Sequence, residues 1–123
     1  MTEPGWDTGD AIRREVLGDE HVERSQAGRS EFTAPFQDFI TRYAWGEVWA
    51  RDGLDRRTRS AITLAVLTAL GRENEIGLHV RGARRNGLTE TEIAEVLLQT
   101  AVYAGVPAAN AAFAIAERVL AEE

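Results

Sequence analysis

Cysteine is absent from this chain, which removes disulfides, cysteine-ligated zinc, iron–sulfur clusters and every thiol mechanism. Lysine is absent too. All 14 basic side chains are arginine, so a lysine Schiff base is not open to it as a way of stabilising a carbanion. Positive charge is the scarcer sign: 14 basic against 20 acidic side chains leave a net −6, which argues against the phosphate backbone of nucleic acid as a partner. No run approaches the ~18 apolar residues of a membrane span, and the N-terminus lacks a basic stretch followed by an apolar one. These absences lead to the expectation of a cytoplasmic protein with neither membrane nor nucleic-acid partners.

What is present is a globular composition, 44% hydrophobic and 28% charged over 123 residues, enough for one core. Residues 1–9 are rich in Gly, Pro and Asp and are expected to be a flexible arm, with residues 10–123 forming a single all-helical domain. Ala11, Ile12, Val16 and Leu17 have helical spacing, and Gly18 ends that helix. A short polar helix follows from Asp19. Thr33 is the expected N-cap of a third helix with Pro35 in its first turn; it carries Phe36, Phe39, Ile40 and Tyr43 and runs to Ala44 or beyond. Trp45, Gly46 and Trp49 mark where it bends or breaks.

Asp55 opens the most apolar segment, in which Ile62, Leu64, Val66, Leu67 and Leu70 lie on more than one face, as suits a bundle centre or an interface. After Gly71 comes a helix expected to pack Ile76, Val80 and Ala83 inward and to end at Asn86 and Gly87. Thr89 and Glu92 have capping-box spacing, with Ile93, Val96, Leu97 and Ala101 as the buried stripe of the helix they start. The junction Tyr103–Pro107 breaks it, and an alanine-rich helix closes the chain. No segment alternates with period two, so the fold class is all-α. Such a set of helices leaves an apolar face uncovered, and a homo-oligomer is expected.

At about 100° per residue, Arg72, Glu75, His79, Gly82 and Asn86 fall within a sector of about 80° on one helix face. An arginine, a carboxylate and an imidazole thus line up beside an apolar stripe. The i,i+4 pair Glu75 and His79 suits an acid–base site, and suits equally a surface pair that supports the helix. His21 by itself reads as a surface histidine. Two histidines so far apart, without a third ligand at a recognisable spacing, make no case for a metal site. Arg42, Arg51, Arg56, Arg57, Arg59 and Arg81 form a second set, whose guanidinium groups suit small dianionic or trianionic carboxylates. Trp45 and Trp49, one turn apart, fit packing or a pocket wall. The stretch GARRNGLTETEIAEVL has a helix-turn-helix rhythm, but its recognition helix would be acidic and then apolar.

The blocks VLGDEHVERS, TRYAWGEVW, LDRRTRS, LHVRGA and YAGVPAAN closely resemble the 4-carboxymuconolactone decarboxylase family, over nearly the whole chain from about Arg13. The resemblance implies an alkylhydroperoxidase D-like helical bundle, a homo-oligomer that is usually a hexamer, and a reaction without cofactor. The reaction is conversion of 4-carboxymuconolactone to 3-oxoadipate enol-lactone and CO2, in the protocatechuate branch of the β-ketoadipate pathway. Some members are fused to the enol-lactone hydrolase that acts next, and both a stand-alone chain and a piece of such a fusion fit this sequence. Peroxidases of the wider superfamily carry a glutamate, a C-x-x-C pair and a histidine. Aligned on His79, the glutamate and the two cysteines fall on Ser60, Arg72 and Glu75, so three of four redox positions are replaced.

The lactone supplies its own electron sink, so the protein need only bind carboxylates, stabilise an enolate oxygen and protonate carbon. On this reading His79 is the acid, Glu75 orients it, and Arg72, Arg42 and Arg59 bind carboxylates. His21, Trp45, Tyr103 and Asn110, which lie in the family-like blocks, are further substrate-contact candidates. Trp45 and Phe39 are walls that desolvate the departing group. The competing readings are a non-catalytic oligomeric binding protein on the same scaffold, and a decarboxylase of a related lactone or keto acid.

Overall fold

Every regular element among residues 4–123, the part of the chain that the computed structural model describes, is helical. These residues divide into two compact units, one up to Leu54 and one comprising Asp55–Glu123, where the sequence pattern suggests a single domain from residue 10.

The first unit contains α1 (Pro4–Leu17), α2 (Asp19–Ala27), α3 (Ala34–Ile40) and a π-helical stretch, Thr41–Val48. Helix α1 corrects the expected flexible arm for residues 4–9; residues 1–3 lie outside the described part. Tertiary anchors outweigh the poor helix propensity of that composition. The Trp6 indole N–H donates to Asp38 at 3.1 Å, and Gly9 lies directly on the backbone of Thr41. At the other end Gly18, at φ 91°, takes the left-handed turn that stops α1, with its N–H on the Arg14 carbonyl at 2.9 Å.

Arg14 gathers α1 and α2 through Asp10 (3.0 Å), Glu23 (2.6 Å) and Gln26 (3.3 Å). Arg13 is buried and reaches Ser25 and Gln37; desolvation lowers its pKa from the ordinary arginine value. Thr33 occupies the expected N-cap position, but its hydroxyl accepts from the Ser30 amide at 2.9 Å rather than from the helix. Among the described residues of this unit, Val16, Leu17, Val22 and Trp45 are buried apolar side chains.

In the second unit run α4 (Arg56–Leu70), α5 (Glu73–Arg85), α6 (Glu90–Ala104) and α7 (Val106–Ala121). Their shared core is Leu64, Ile76, Val80, Ala83, Leu88, Ile93, Leu97, Ala112, Ala116 and Val119, which contains the inward stripe expected of α5. Small residues bring the helices close. A Cβ on Gly77 of α5 would stand 3.3 Å from a Val119 methyl of α7.

Helix starts follow local chemistry. Asp55 accepts from the Thr58 amide at 2.7 Å, and Thr89 and Glu92 form the reciprocal capping box, leaving fewer orphan amides. Arg57 crosses from α4 to the turn before α6, donating to the Gly87 carbonyl and to Glu92. The apolar residues of α4 divide as their spacing suggests: Leu64 is fully buried, while Ile62, Val66 and Leu70 remain 48%, 47% and 61% exposed.

Candidate active site

The turn between α4 and α5 sets out the catalytic candidates. Gly71, at φ 70°, closes α4 in the left-handed conformation. The next amide, that of Arg72, returns to the Leu67 carbonyl at 2.8 Å, the pattern that glycine at this position permits. The chain then re-enters a helix at once, with Arg72 as N-cap. Arg72 makes no side-chain cap bond. Gly71, Arg72, Glu73, Asn74 and Glu75 line a polar concavity of about 440 Å³.

Exposure falls from the N-cap of α5 along the helix. Arg72 and Glu75 are exposed, His79 one turn further on is half-buried, and Gly82 is buried. At its end the Asn86 side-chain amide donates to the Ser60 hydroxyl of α4 at 2.9 Å, where Ser60 is 2% exposed. Ser60 is therefore one half of a neutral hydrogen-bonded pair. Spacing puts Asn86 on the face, but its partner lies 26 residues earlier on a different helix, and only packing joins them. Arg72 stands just before α5 as its N-cap, while Glu75 and His79 lie one turn apart within the helix.

The other candidates are dispersed over separate elements. Within the second unit Arg59 is half-buried on α4, and Asn110 is exposed on α7. Tyr103, 82% exposed, lies near the end of α6 and lines an apolar groove of about 680 Å³ with Ile62, Ala65, Val66, Ala69, Val96 and Thr100. In the first unit His21 is half-buried on α2, and Arg42 is exposed on the π-helical stretch. Trp45 is 7% exposed and stacks on Trp49 at a centroid distance of 5.1 Å, so packing takes most of its surface. Phe39, 53% exposed, stacks on Tyr43 at 5.5 Å.

Two further arginines of the second set have structural partners. Arg57 holds the turn before α6, and Arg81 meets Glu122 at 2.9 Å. Among the described residues no group of three His, Cys, Asp or Glu side chains is placed to hold a metal ion, and no helix is long and apolar enough to cross a membrane.

Comparison with known proteins yields a family model, the carboxymuconolactone decarboxylase family, that matches residues 34–118. A 4-carboxymuconolactone decarboxylase of Acinetobacter baylyi is 50% identical over 117 residues, 95% of this chain and 87% of the relative. A nitrosuccinic acid decarboxylase, npaB, of Metarhizium robertsii is 44% identical over 115 residues, 94% of this chain and 80% of the relative.

Proposed function

Because this chain belongs to the carboxymuconolactone decarboxylase family, we infer that it is a carboxy-lyase that converts 4-carboxymuconolactone to 3-oxoadipate enol-lactone and CO2. The observation that carries the substrate is the 50% identity, over 95% of the chain, to a decarboxylase named for that lactone. The reaction belongs to the protocatechuate branch of the β-ketoadipate pathway, and the fold is the alkylhydroperoxidase D-like bundle.

In the substrate the departing carboxylate sits at the far end of a C=C–C=O system. Cleavage of its C–C bond releases CO2 and moves the electron pair through the double bond onto the lactone carbonyl oxygen, giving a dienolate. A proton then adds to carbon and the carbonyl re-forms. No external electron sink enters this balance. The protein has to hold carboxylates, favour the enolate and deliver one proton.

His79 is the proton donor, at a half-buried position one turn from a carboxylate. Glu75 orients its ring. Arg72 binds a carboxylate from the lip of the polar concavity, and Arg42 and Arg59 are the other carboxylate-binding arginines. His21, Trp45, Tyr103 and Asn110 complete the proposed substrate contacts. The active form is a homo-oligomer, a hexamer. Its support is the extent of apolar surface the chain leaves open, with Ile62, Val66, Val102, Tyr103 and Val106 all exposed on the second unit.

The test is direct: purified protein is mixed with the lactone, and loss of its ultraviolet absorbance is followed together with CO2 release. Turnover is the expected result. Silence at micromolar protein would instead favour the non-catalytic binding protein. Nitrosuccinate belongs in the same assay, since the relative named for it is 44% identical to this chain. It too carries a second carboxylate, and its nitro group can accept the electron pair. A higher kcat/KM for nitrosuccinate, or for another lactone or keto acid, would reassign the substrate within one reaction class.

A further inference from the structure

The stretch Thr41–Val48 is π-helical, and it coincides with the block TRYAWGEVW that carries Arg42 and Trp45. π-Turns cost hydrogen-bond geometry relative to an α-helix and recur at functional sites. A physical cause for this one is visible in α1. A Cβ on Gly9 would overlap the Thr41 carbonyl oxygen and stand 3.0 Å from the Gly46 amide nitrogen. A Cβ on Gly46 would stand 2.5 Å from the Gly5 carbonyl oxygen and 3.3 Å from that of Thr41. Backbone therefore lies on backbone, with glycine on both sides of the contact.

The stretch is held at its ends as well. Before it, Asp38 takes a two-pronged grip from Arg29 at 2.8 Å, Gln37 receives Arg13, and the Thr41 hydroxyl donates to the Gln37 carbonyl at 2.7 Å. After it, the Trp49 amide reaches back five residues to the Ala44 carbonyl at 2.9 Å.

We propose that Gly9 and Gly46 are positioning residues of the enzyme: by letting α1 lie on the backbone of Thr41–Val48 they hold that stretch in the π form, which sets the direction of Arg42 and of the Trp45–Trp49 stack. Each π loop contains one residue more than an α loop. Relaxation to α would turn Arg42 relative to the tryptophans that follow it. This rests on the reading of Arg42 as a carboxylate-binding residue.

Gly46→Ala is the main test, because its Cβ would meet the Gly5 carbonyl oxygen at 2.5 Å, a milder overlap than the 1.8 Å between a Cβ on Gly9 and the Thr41 carbonyl oxygen. Gly5→Ala is the control on the same helix, since a Cβ there meets nothing within 4 Å. Far-UV circular dichroism reports helix content, near-UV circular dichroism the stacked indoles, and steady-state kinetics kcat and KM separately. Gly46→Ala is expected to keep its far-UV spectrum, alter the near-UV signal and raise KM about tenfold with kcat changed less, while Gly5→Ala matches the parent.

Arg42→Gln separates the two claims. If it raises KM but Gly46→Ala leaves KM and the near-UV signal at parental values, the positioning role is wrong and Arg42 keeps its place in the site. If Arg42→Gln leaves KM unchanged, Arg42 is no carboxylate-binding residue and the role assigned to the glycines fails with it. Should Gly46→Ala not fold, the parent chain still decides the backbone claim. A through-hydrogen-bond NMR coupling from the Trp49 amide to the Ala44 carbonyl supports it, and a coupling to Trp45 instead overturns it.

Discussion

His79 differs from most of the ionisable residues around it in being half-buried rather than exposed. A proton donor benefits from such a place, shielded enough to be selective and open enough to exchange its proton. If it supplies the proton, His79→Ala should lower kcat by ~10²–10³-fold with a smaller change in KM, since general acids contribute ~10²–10⁴; a kcat within tenfold of the parent would remove it from that role. Asp38 is a residue of another kind. Arg29 above all, with help from the Trp6 indole N–H, holds its carboxyl below the usual carboxylate range. A depressed folded pKa means that the stabilisation is complete above the unfolded value and is lost as pH falls through the folded one. Stability measured by thermal unfolding, followed by tryptophan fluorescence, should therefore weaken below about pH 4, and Asp38→Asn should flatten that acid limb while lowering the melting temperature at pH 7.

Among the elements, α6 shows how local chemistry suffices to begin a helix. Thr89 and Glu92 satisfy each other's backbone amides, at 3.0 and 2.8 Å, and the signal is contained in four consecutive residues. Thr89→Ala should cost about 1 kcal/mol, read as a shift of the urea midpoint at unchanged slope; Thr33→Ala, whose hydroxyl caps no helix, should cost less. The stretch after α3 shows the opposite. Trp45, Gly46 and Trp49 do announce an irregularity, but its form is decided by what lies against it. Gly9, more than thirty residues earlier, removes the side chain that would have kept α1 away.

For the whole molecule the deciding quantity is uncovered apolar surface. The groove of about 680 Å³ between α4 and α6 presents Ile62 and Val66 to water in the isolated chain, whereas monomeric proteins seldom leave such a patch open. If copies of this chain cover it, Val66→Glu should shift the protein toward a smaller species in sedimentation velocity, with far-UV circular dichroism retained. An unchanged sedimentation coefficient would place the subunit contacts elsewhere. Lost activity in the dissociated form would further indicate that assembly completes the site.

The sequence alone determined the helical class, most helix boundaries, the inward stripe Ile76–Val80–Ala83 and the one-turn spacing of Glu75 and His79 on α5. Each depends on interactions within a few residues, where periodicity, caps and glycine turns act directly. Only the tertiary structure decided that residues 4–9 are helical, that Thr41–Val48 departs from the α-helix, that Ser60 pairs with Asn86, and that Arg57 holds the turn before α6. All of these depend on groups far apart in the chain. An indole finding a carboxylate, or a glycine admitting a neighbouring backbone, stabilises a conformation that local propensity leaves undecided, and no spacing rule contains the distance between them. The lack of cysteine and lysine is legible at once and restricts the chemistry; where the arginines and the single α5 histidine stand is a property of the folded chain.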